Sequence, residues 1–102
     1  MREKLIIPKK EMREIFIQQL RDLLASDKRD IQWATAILSS LETILTHKLM
    51  AISETTRGKI DVLLDKVSAG NFSNTDINLL ADLAQRAVNM YRVHYQKNDN
   101  HF

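Results

Sequence analysis

The chain has 102 residues, of which 44% are hydrophobic and 27% charged, and it contains two glycines, one proline and no cysteine. This composition is typical of one small globular domain, and the lack of cysteine excludes disulfides, thiolate metal sites and cysteine catalysis. The formal net charge is only +2 and the signs are interleaved along the chain, so no strong electrostatic footprint for nucleic acid is visible. We expect a cytoplasmic protein without a signal peptide or a membrane-spanning segment, because the apolar run near the start is only Leu5-Ile6-Ile7.

The first predicted element is a helix that follows a short N-terminal arm, residues 1–7. It begins at Pro8, since proline suits the first helical position, where its missing N–H is not needed. Apolar residues then recur at a spacing that lines one helical face. They are Met12, Phe16, Leu20, Leu23 and Leu24, with Ile15 and Ile17 widening the face.

A second helix is predicted from about residue 28 to residue 52. Ser26 or Asp27 can cap its start, because both side chains can accept a hydrogen bond from a first-turn N–H. The main apolar stripe consists of Ile31, Ala34, Leu38, Leu41, Leu45, Leu49 and Ile52, flanked by Ile37 and Ile44. Ser53 is expected to end this helix and to begin a third.

The third helix is expected to stop at Gly70, the natural residue for a left-handed C-terminal position. Its apolar face carries Ile60, Leu63, Leu64 and Val67. In the segment "NFSNTDI", Ser73 and Asp76 have the spacing of an approximate capping box for a fourth helix. The apolar stripe of that helix is Ile77, Leu80, Ala84, Ala87, Val88, Tyr91 and Tyr95.

Four amphipathic helices joined by short turns predict an all-α fold, a small antiparallel bundle of about four helices. We expect one bundle domain over residues 8–97, preceded by the arm and followed by a polar tail, residues 98–102, that frays at its end.

The second helix is unusual because its polar face is uncharged. Between residues 31 and 46 the only formally charged residue is Glu42, and the outer positions carry small hydroxyl side chains such as Thr35, Ser39 and Thr43. Two interpretations fit: a central helix buried on several sides, or an outward surface on which another chain packs. Trp33 suits either a core position or an interface. The residues that we select as a candidate protein interface are Trp33, Thr35, Ser39, Thr43 and the arm residues Leu5, Ile6 and Ile7.

His47, in the segment "ILTHKLMAI", raises the question of a phosphate acceptor. Histidine phosphotransfer domains are helical bundles of similar size in which the histidine is followed by a lysine three residues on and then by glycine. Here those positions hold Met50 and Ala51. We therefore expect His47 to be a half-exposed residue near the C-terminal end of its helix, where a partial positive charge suits the helix dipole.

The segment "YRVHYQK", residues 91–97, interleaves aromatic and basic groups, as nucleic-acid-binding strips do. The alternative hypothesis is therefore a nucleic-acid-binding regulator that uses Lys9, Lys10, Arg13, Arg86, Arg92, His94 and Lys97. Against it, Tyr91 and Tyr95 continue the apolar stripe of the fourth helix.

No pattern of residues predicts a cofactor, a metal site or catalysis, so we expect that the protein is not an enzyme. The leading hypothesis is a helical protein–protein interaction module, a small regulator or adaptor that acts as a homodimer. Its size and economy suggest a bacterial or phage origin.

Overall fold

A computed structural model of the chain describes residues 8–96. They form four helices, α1 (Lys9–Leu24), α2 (Ile31–Thr46), α3 (Glu54–Ala69) and α4 (Asn74–Tyr91), followed by a short π-helical turn, Arg92–Gln96. The predicted all-α bundle is therefore confirmed. The N-terminal arm and the tail from residue 97 onward lie outside the described residues.

Helix α1 runs antiparallel to both α2 and α4. Its C-terminal part lies beside the start of α2, where Trp33 Nε1 donates to the Leu23 carbonyl at 2.8 Å. Its first turns lie beside the segment that follows α2, where Arg13 Nε donates to the Leu49 carbonyl at 2.7 Å. The Arg13 guanidinium also lies over the Tyr95 ring at the end of α4. Helices α2 and α4 each contact the three other helices, whereas α1 and α3 do not touch each other. Helix α2 is thus central to the bundle.

The core is apolar and continuous between these helices. Its largest fully buried side chains come from all four helices and from the segment after α2: Ile17, Leu20, Ile37, Leu38, Leu41, Ile44, Leu49, Ile60, Leu63, Leu80 and Leu83. Ile15, predicted on the buried face of α1, is 48% exposed instead. The buried side of α1 consists of Ile17 and Leu20 with the partly buried Met12, Phe16, Leu23 and Leu24. No helix of the described chain is long and apolar enough to cross a lipid bilayer.

Helix α2 is shorter than predicted at both ends. Its N-cap is Asp30, whose Oδ1 accepts from the Trp33 backbone N–H at 3.0 Å, so neither Ser26 nor Asp27 caps it. That backbone hydrogen bond lowers the pKa of Asp30 below its ordinary value of 3.8. At the other end the helix stops at Thr46 instead of residue 52, because Lys48 adopts a left-handed conformation with φ +52°.

The local signals of α3 and α4 are confirmed. Ser53 Oγ accepts from the Thr56 N–H at 3.2 Å at the start of α3, and Gly70 ends that helix with φ +77°. Ser73 and Asp76 form the predicted capping box at the start of α4. The carboxylate of Asp76 also accepts from Lys66 Nζ at 3.0 Å. This ion pair ties the last turn of α3 to the first turn of α4.

Candidate interaction surfaces

The exposed side of α2 presents a ridge of residues four positions apart. We call this the α2 ridge: Ile31, Thr35, Ser39 and Thr43. Ile31, predicted in the buried stripe, is 51% exposed, Thr35 and Ser39 are exposed and Thr43 is half-buried. The i±4 rows of a helix are the ridges by which helices most often pack against each other. The α2 ridge thus has the geometry of a helix-packing surface but no helix of the described chain covers it.

The hydroxyl donors on the α2 ridge are already satisfied within the helix. Thr35 Oγ1 donates to the Ile31 carbonyl at 2.8 Å, and Thr43 Oγ1 donates to the Ser39 carbonyl at 2.9 Å. Threonine hydroxyls bonded to the carbonyl four residues earlier need no further acceptor when water is removed. Burial of this ridge by another chain would therefore leave neither of these threonine donors unpaired.

Trp33 does not lie on the α2 ridge, which corrects its place in the predicted interface. Its side chain is 4% exposed, its Nε1 donates to the Leu23 carbonyl, and the Arg29 guanidinium lies 5.1 Å from the ring centroid. The buried face of α2 is wider than the predicted stripe. It keeps Ala34, Leu38 and Leu41 of that stripe with the flanking Ile37 and Ile44. It adds Trp33 and Ser40, which hydrogen-bond to Leu23 and Gln19 of α1. The arm residues Leu5, Ile6 and Ile7 lie outside the described residues.

A shallow hollow of about 380 Å³ continues the α2 ridge towards α1. It is lined by Gln19, Asp22, Leu23, Ala36, Ser39 and Ser40. Two of its polar side chains are bonded to each other, since Ser40 Oγ donates to Gln19 Oε1 at 3.0 Å. The surface beside Ser39 is thus concave and built largely from small or uncharged side chains.

A second surface lies at the C-terminal end of α2 and is strongly basic. Four cationic side chains from three segments line a groove of about 550 Å³. They are Lys9 and Arg13 of α1, Lys48 of the segment between α2 and α3, and Arg57 of α3. The other lining residues are Leu45, Leu49, Met50, Ala51, Ile52 and Tyr95, so no carboxylate of residues 8–96 lines this cationic groove.

Contacts between distant segments hold the cationic groove in shape. Arg13 Nε donates to the Leu49 carbonyl at 2.7 Å, and its guanidinium carbon lies 4.4 Å from the centroid of the Tyr95 ring. The Tyr95 hydroxyl accepts from the Ala51 N–H at 3.2 Å. Since Tyr95 also stacks on Tyr91, with ring centroids 6.4 Å apart, its aromatic faces are engaged by protein groups. The groove therefore offers charge rather than an open aromatic platform.

The residues selected for nucleic-acid binding do not form one strip in the described part of the chain. Arg86 is paired with Asp82 at 3.0 Å, and His94 lines an adjoining hollow that shares Ala51 and Tyr95 with the cationic groove. Lys10 and Arg92 are exposed and line neither of these two grooves. Lys97 lies outside the described residues. Only Lys9 and Arg13 meet, and they do so with two cations that the sequence analysis did not select, Lys48 and Arg57.

The structure places His47 at the C-cap of α2, where it is exposed. Met50, which stands at the position of the lysine in the phosphotransfer pattern, is 5% exposed and packs in the core. Among residues 8–96, no three His, Asp or Glu side chains converge in a group that could hold a metal ion. The structure therefore gives His47 neither a nearby lysine at the position of Met50 nor, among residues 8–96, a metal-binding group.

The comparisons with known proteins add no relative. No protein-family model matches the sequence, and neither the curated proteins nor the solved structures contain a significant match.

Proposed function

We propose that this protein is a non-enzymatic interaction module, a small cytoplasmic regulator or adaptor that binds a second copy of itself through the α2 ridge. The observation that carries the proposal is an exposed, uncharged helix ridge whose threonine hydroxyls are bonded inward. A surface of this kind loses its water at low cost, because no charge and few unpaired donors must be desolvated.

The second copy is the preferred occupant because of the charge distribution. The outer faces of α1, α3 and α4 carry charges of both signs, such as Glu14, Asp61 and Arg86, whereas the 16 residues of α2 include Glu42 as their only charged group. In a twofold dimer the same surface meets itself, so an uncharged ridge is self-complementary. A strongly charged partner would gain nothing from it.

The expected dimer is weak, because the ridge is short. A helix of 16 residues is about 24 Å long, so an interface on α2 and the adjoining hollow falls at the small end of specific interfaces, below about 1,200 Å² in total. Within the ridge, the exposed side chain of Ile31 adds apolar area. We expect a dimer that forms in the micromolar range or above.

The test introduces a charge on the ridge with Ser39→Glu. A twofold interface would then contain two facing carboxylates, so we expect the dimer dissociation constant to rise about tenfold or more. Sedimentation velocity over a concentration series measures this, and far-ultraviolet circular dichroism checks that the monomer stays helical, since position 39 is exposed.

Gln85→Glu is the matched control. It adds the same charge at an exposed mid-helix position of α4, away from the α2 ridge, and should leave association unchanged. A protein that stays monomeric at every concentration, or equal weakening by both variants, would contradict the proposed interface.

A further inference from the structure

We propose that the cationic groove is a binding site for a phosphate-bearing small molecule. This inference does not depend on the proposed dimer, because the cationic groove and the α2 ridge share no residue. Its first support is the convergence of Lys9, Arg13, Lys48 and Arg57 on one hollow in a chain whose net charge is only +2.

None of these four cations is neutralised by the described part of the chain. Within residues 8–96 no carboxylate lies within ion-pair distance of Lys9, Arg13, Lys48 or Arg57. Two cations outside the groove are held in ion pairs with a shortest distance of 3.0 Å, Lys66 with Asp76 and Arg86 with Asp82. Unpaired like charges around a concave surface raise the local positive potential and attract an anion. A bound anion would relieve their mutual repulsion.

The second support is that Arg13 is oriented before any ligand arrives. Its Nε is fixed by the Leu49 carbonyl and its guanidinium by the Tyr95 ring, and the side chain is half-buried. A guanidinium held in this way has lost its freedom already, so its remaining N–H groups bind an oxyanion at a smaller entropic cost. Such a fork matches phosphate oxygens.

The third support is the backbone of Lys48. It is the only non-glycine residue among residues 8–96 with a positive φ, and its side chain lines the groove. A left-handed conformation costs a non-glycine residue free energy, and such strain is found preferentially at binding sites. Glycine or asparagine would suit the turn better, so the lysine is consistent with a role for its ammonium group.

The dimensions favour a small ligand over a polymer. A volume of about 550 Å³ lies within the range of small-molecule sites. A nucleic-acid backbone needs cations spread along a track, and stacking of its bases needs free aromatic faces, whereas both Tyr91 and Tyr95 are engaged. The apolar side chains of Leu45 and Ile52, both half-buried in the groove lining, can contact the organic part of a phosphate ester.

The test is an NMR titration of the ¹⁵N-labelled full chain with inorganic phosphate, pyrophosphate and adenosine monophosphate. We expect saturable amide shifts at Lys48, Ala51 and Arg57. The variant is the double substitution Lys9→Gln and Arg57→Gln, since both side chains are exposed and neither makes a side-chain hydrogen bond within residues 8–96. The affinity of this variant for the phosphate compounds should fall at least about tenfold, because charge-assisted hydrogen bonds are lost.

The matched control is Lys28→Gln with Arg86→Gln, which removes the same charge at two exposed positions outside the groove. It should change the affinity by less than about twofold, since screening weakens distant charges. A glutamate hexapeptide and a single-stranded oligonucleotide form the remaining arms. The absence of saturable shifts with every phosphate, equal loss in both double variants, or tighter binding of the peptide or the oligonucleotide would overturn the proposal. Tight, salt-sensitive oligonucleotide binding would favour nucleic acid instead.

Discussion

Helices α2 and α3 end with the same pair of backbone hydrogen bonds but with different residues at the left-handed position. After α2, Leu49 N–H donates to the Ile44 carbonyl at 2.9 Å and Lys48 N–H donates to the Leu45 carbonyl at 3.1 Å. After α3, Asn71 N–H donates to the Lys66 carbonyl at 2.8 Å and Gly70 N–H to the Val67 carbonyl at 3.2 Å. Both are Schellman motifs.

The two ends differ in what stabilises the turn. At the end of α3 the residue type does so, since glycine adopts a positive φ without steric cost, and the residue after it, Asn71, is exposed. At the end of α2 tertiary contacts do so: Leu49 is buried, its carbonyl accepts from Arg13, and Lys48 carries the strain. The comparison teaches that one turn is set by local sequence and the other by the rest of the fold.

The largest effect should come from removing the tertiary anchor of the α2 turn. Leu49 is 1% exposed, so Leu49→Ala leaves a cavity and should lower the free energy of unfolding by about 2–5 kcal/mol. Asn71→Ala changes the equivalent position of the α3 turn and should stay within about 0.5 kcal/mol of the wild type, because this side chain is exposed. Urea unfolding of both variants measures the difference, and equal effects would contradict the comparison.

The next effect concerns the glycine that sets the α3 turn. Gly70→Ala should cost roughly 1–2 kcal/mol, because alanine is strained at φ +77° although no atom lies within 4 Å of its added Cβ. Gly58→Ala is the matched control within α3, where φ is helical and the added Cβ also meets nothing, so that variant should gain about 0.5–1 kcal/mol. Relative to the wild type, the melting temperature should fall for Gly70→Ala and rise for Gly58→Ala. A shift of the same sign would refute the conformational explanation.

The two turns also differ in how well the sequence predicts where their helices end. Gly70, Ser53 and the Ser73–Asp76 capping box act within a few residues, so the sequence correctly predicted the end of α3 and the starts of α3 and α4. Its second expectation for Ser53, that it ends α2, was wrong. The end of α2 was predicted six residues too late, because Leu49 and Ile52 continue the helical spacing and neither glycine nor proline interrupts it. The helix stops at Thr46 instead, where Lys48 turns left-handed while tertiary contacts hold Leu49, which is buried and accepts a hydrogen bond from Arg13.

The two candidate surfaces likewise differ in how far the sequence predicts them. The uncharged side of α2 was visible in the sequence, since it depends on one helix, but its exact face was not. Ile31, expected in the buried stripe, is exposed, whereas Trp33, for which the sequence allowed a core or an interface position, is buried and hydrogen-bonded to α1. The cationic groove was not predictable, since Arg13, Lys48 and Arg57 belong to three segments that only the tertiary fold brings together.

A smaller effect should depend on pH and should be confined to the α3 turn. The hydrogen bond from Lys66, with that from the Ser73 N–H, holds the pKa of Asp76 below its ordinary value of 3.8. A carboxyl group with a lowered folded-state pKa contributes stability above the unfolded pKa, and this contribution is lost as pH falls through the folded pKa.

Asp76→Asn should therefore lower the melting temperature by a few degrees at pH 6, and the wild type and the variant should converge as pH falls through the lowered pKa of Asp76 in the folded state. Melting curves between pH 2 and pH 7 measure this. At the α2 turn, the hydrogen bond from Arg13 is accepted by the Leu49 carbonyl, which does not titrate. As the pH of the wild-type protein is lowered, the ¹⁵N-resolved amide signals of Gly70 and Asn71 should therefore shift before those of Lys48 and Leu49. A constant difference between wild type and variant at all pH values would assign the effect of the substitution to packing rather than to charge.

The smallest expected change in stability is also the one that connects the two turns to function. Lys48→Gly gives the α2 turn the residue of the α3 turn, so it relieves the left-handed strain but also frees the unfolded chain, and the net gain should be about 0.5–1 kcal/mol. The same substitution removes one of the four cations of the groove and should weaken pyrophosphate binding. Lys48→Asn provides the control, since asparagine tolerates the left-handed region while also removing the charge. If both variants are at least as stable as the wild type and both bind pyrophosphate more weakly, the lysine is retained for its ammonium group at the expense of stability. If Lys48→Gly destabilises the protein, the strain at this position is compensated by packing of the lysine stem, and the third support for the phosphate site falls.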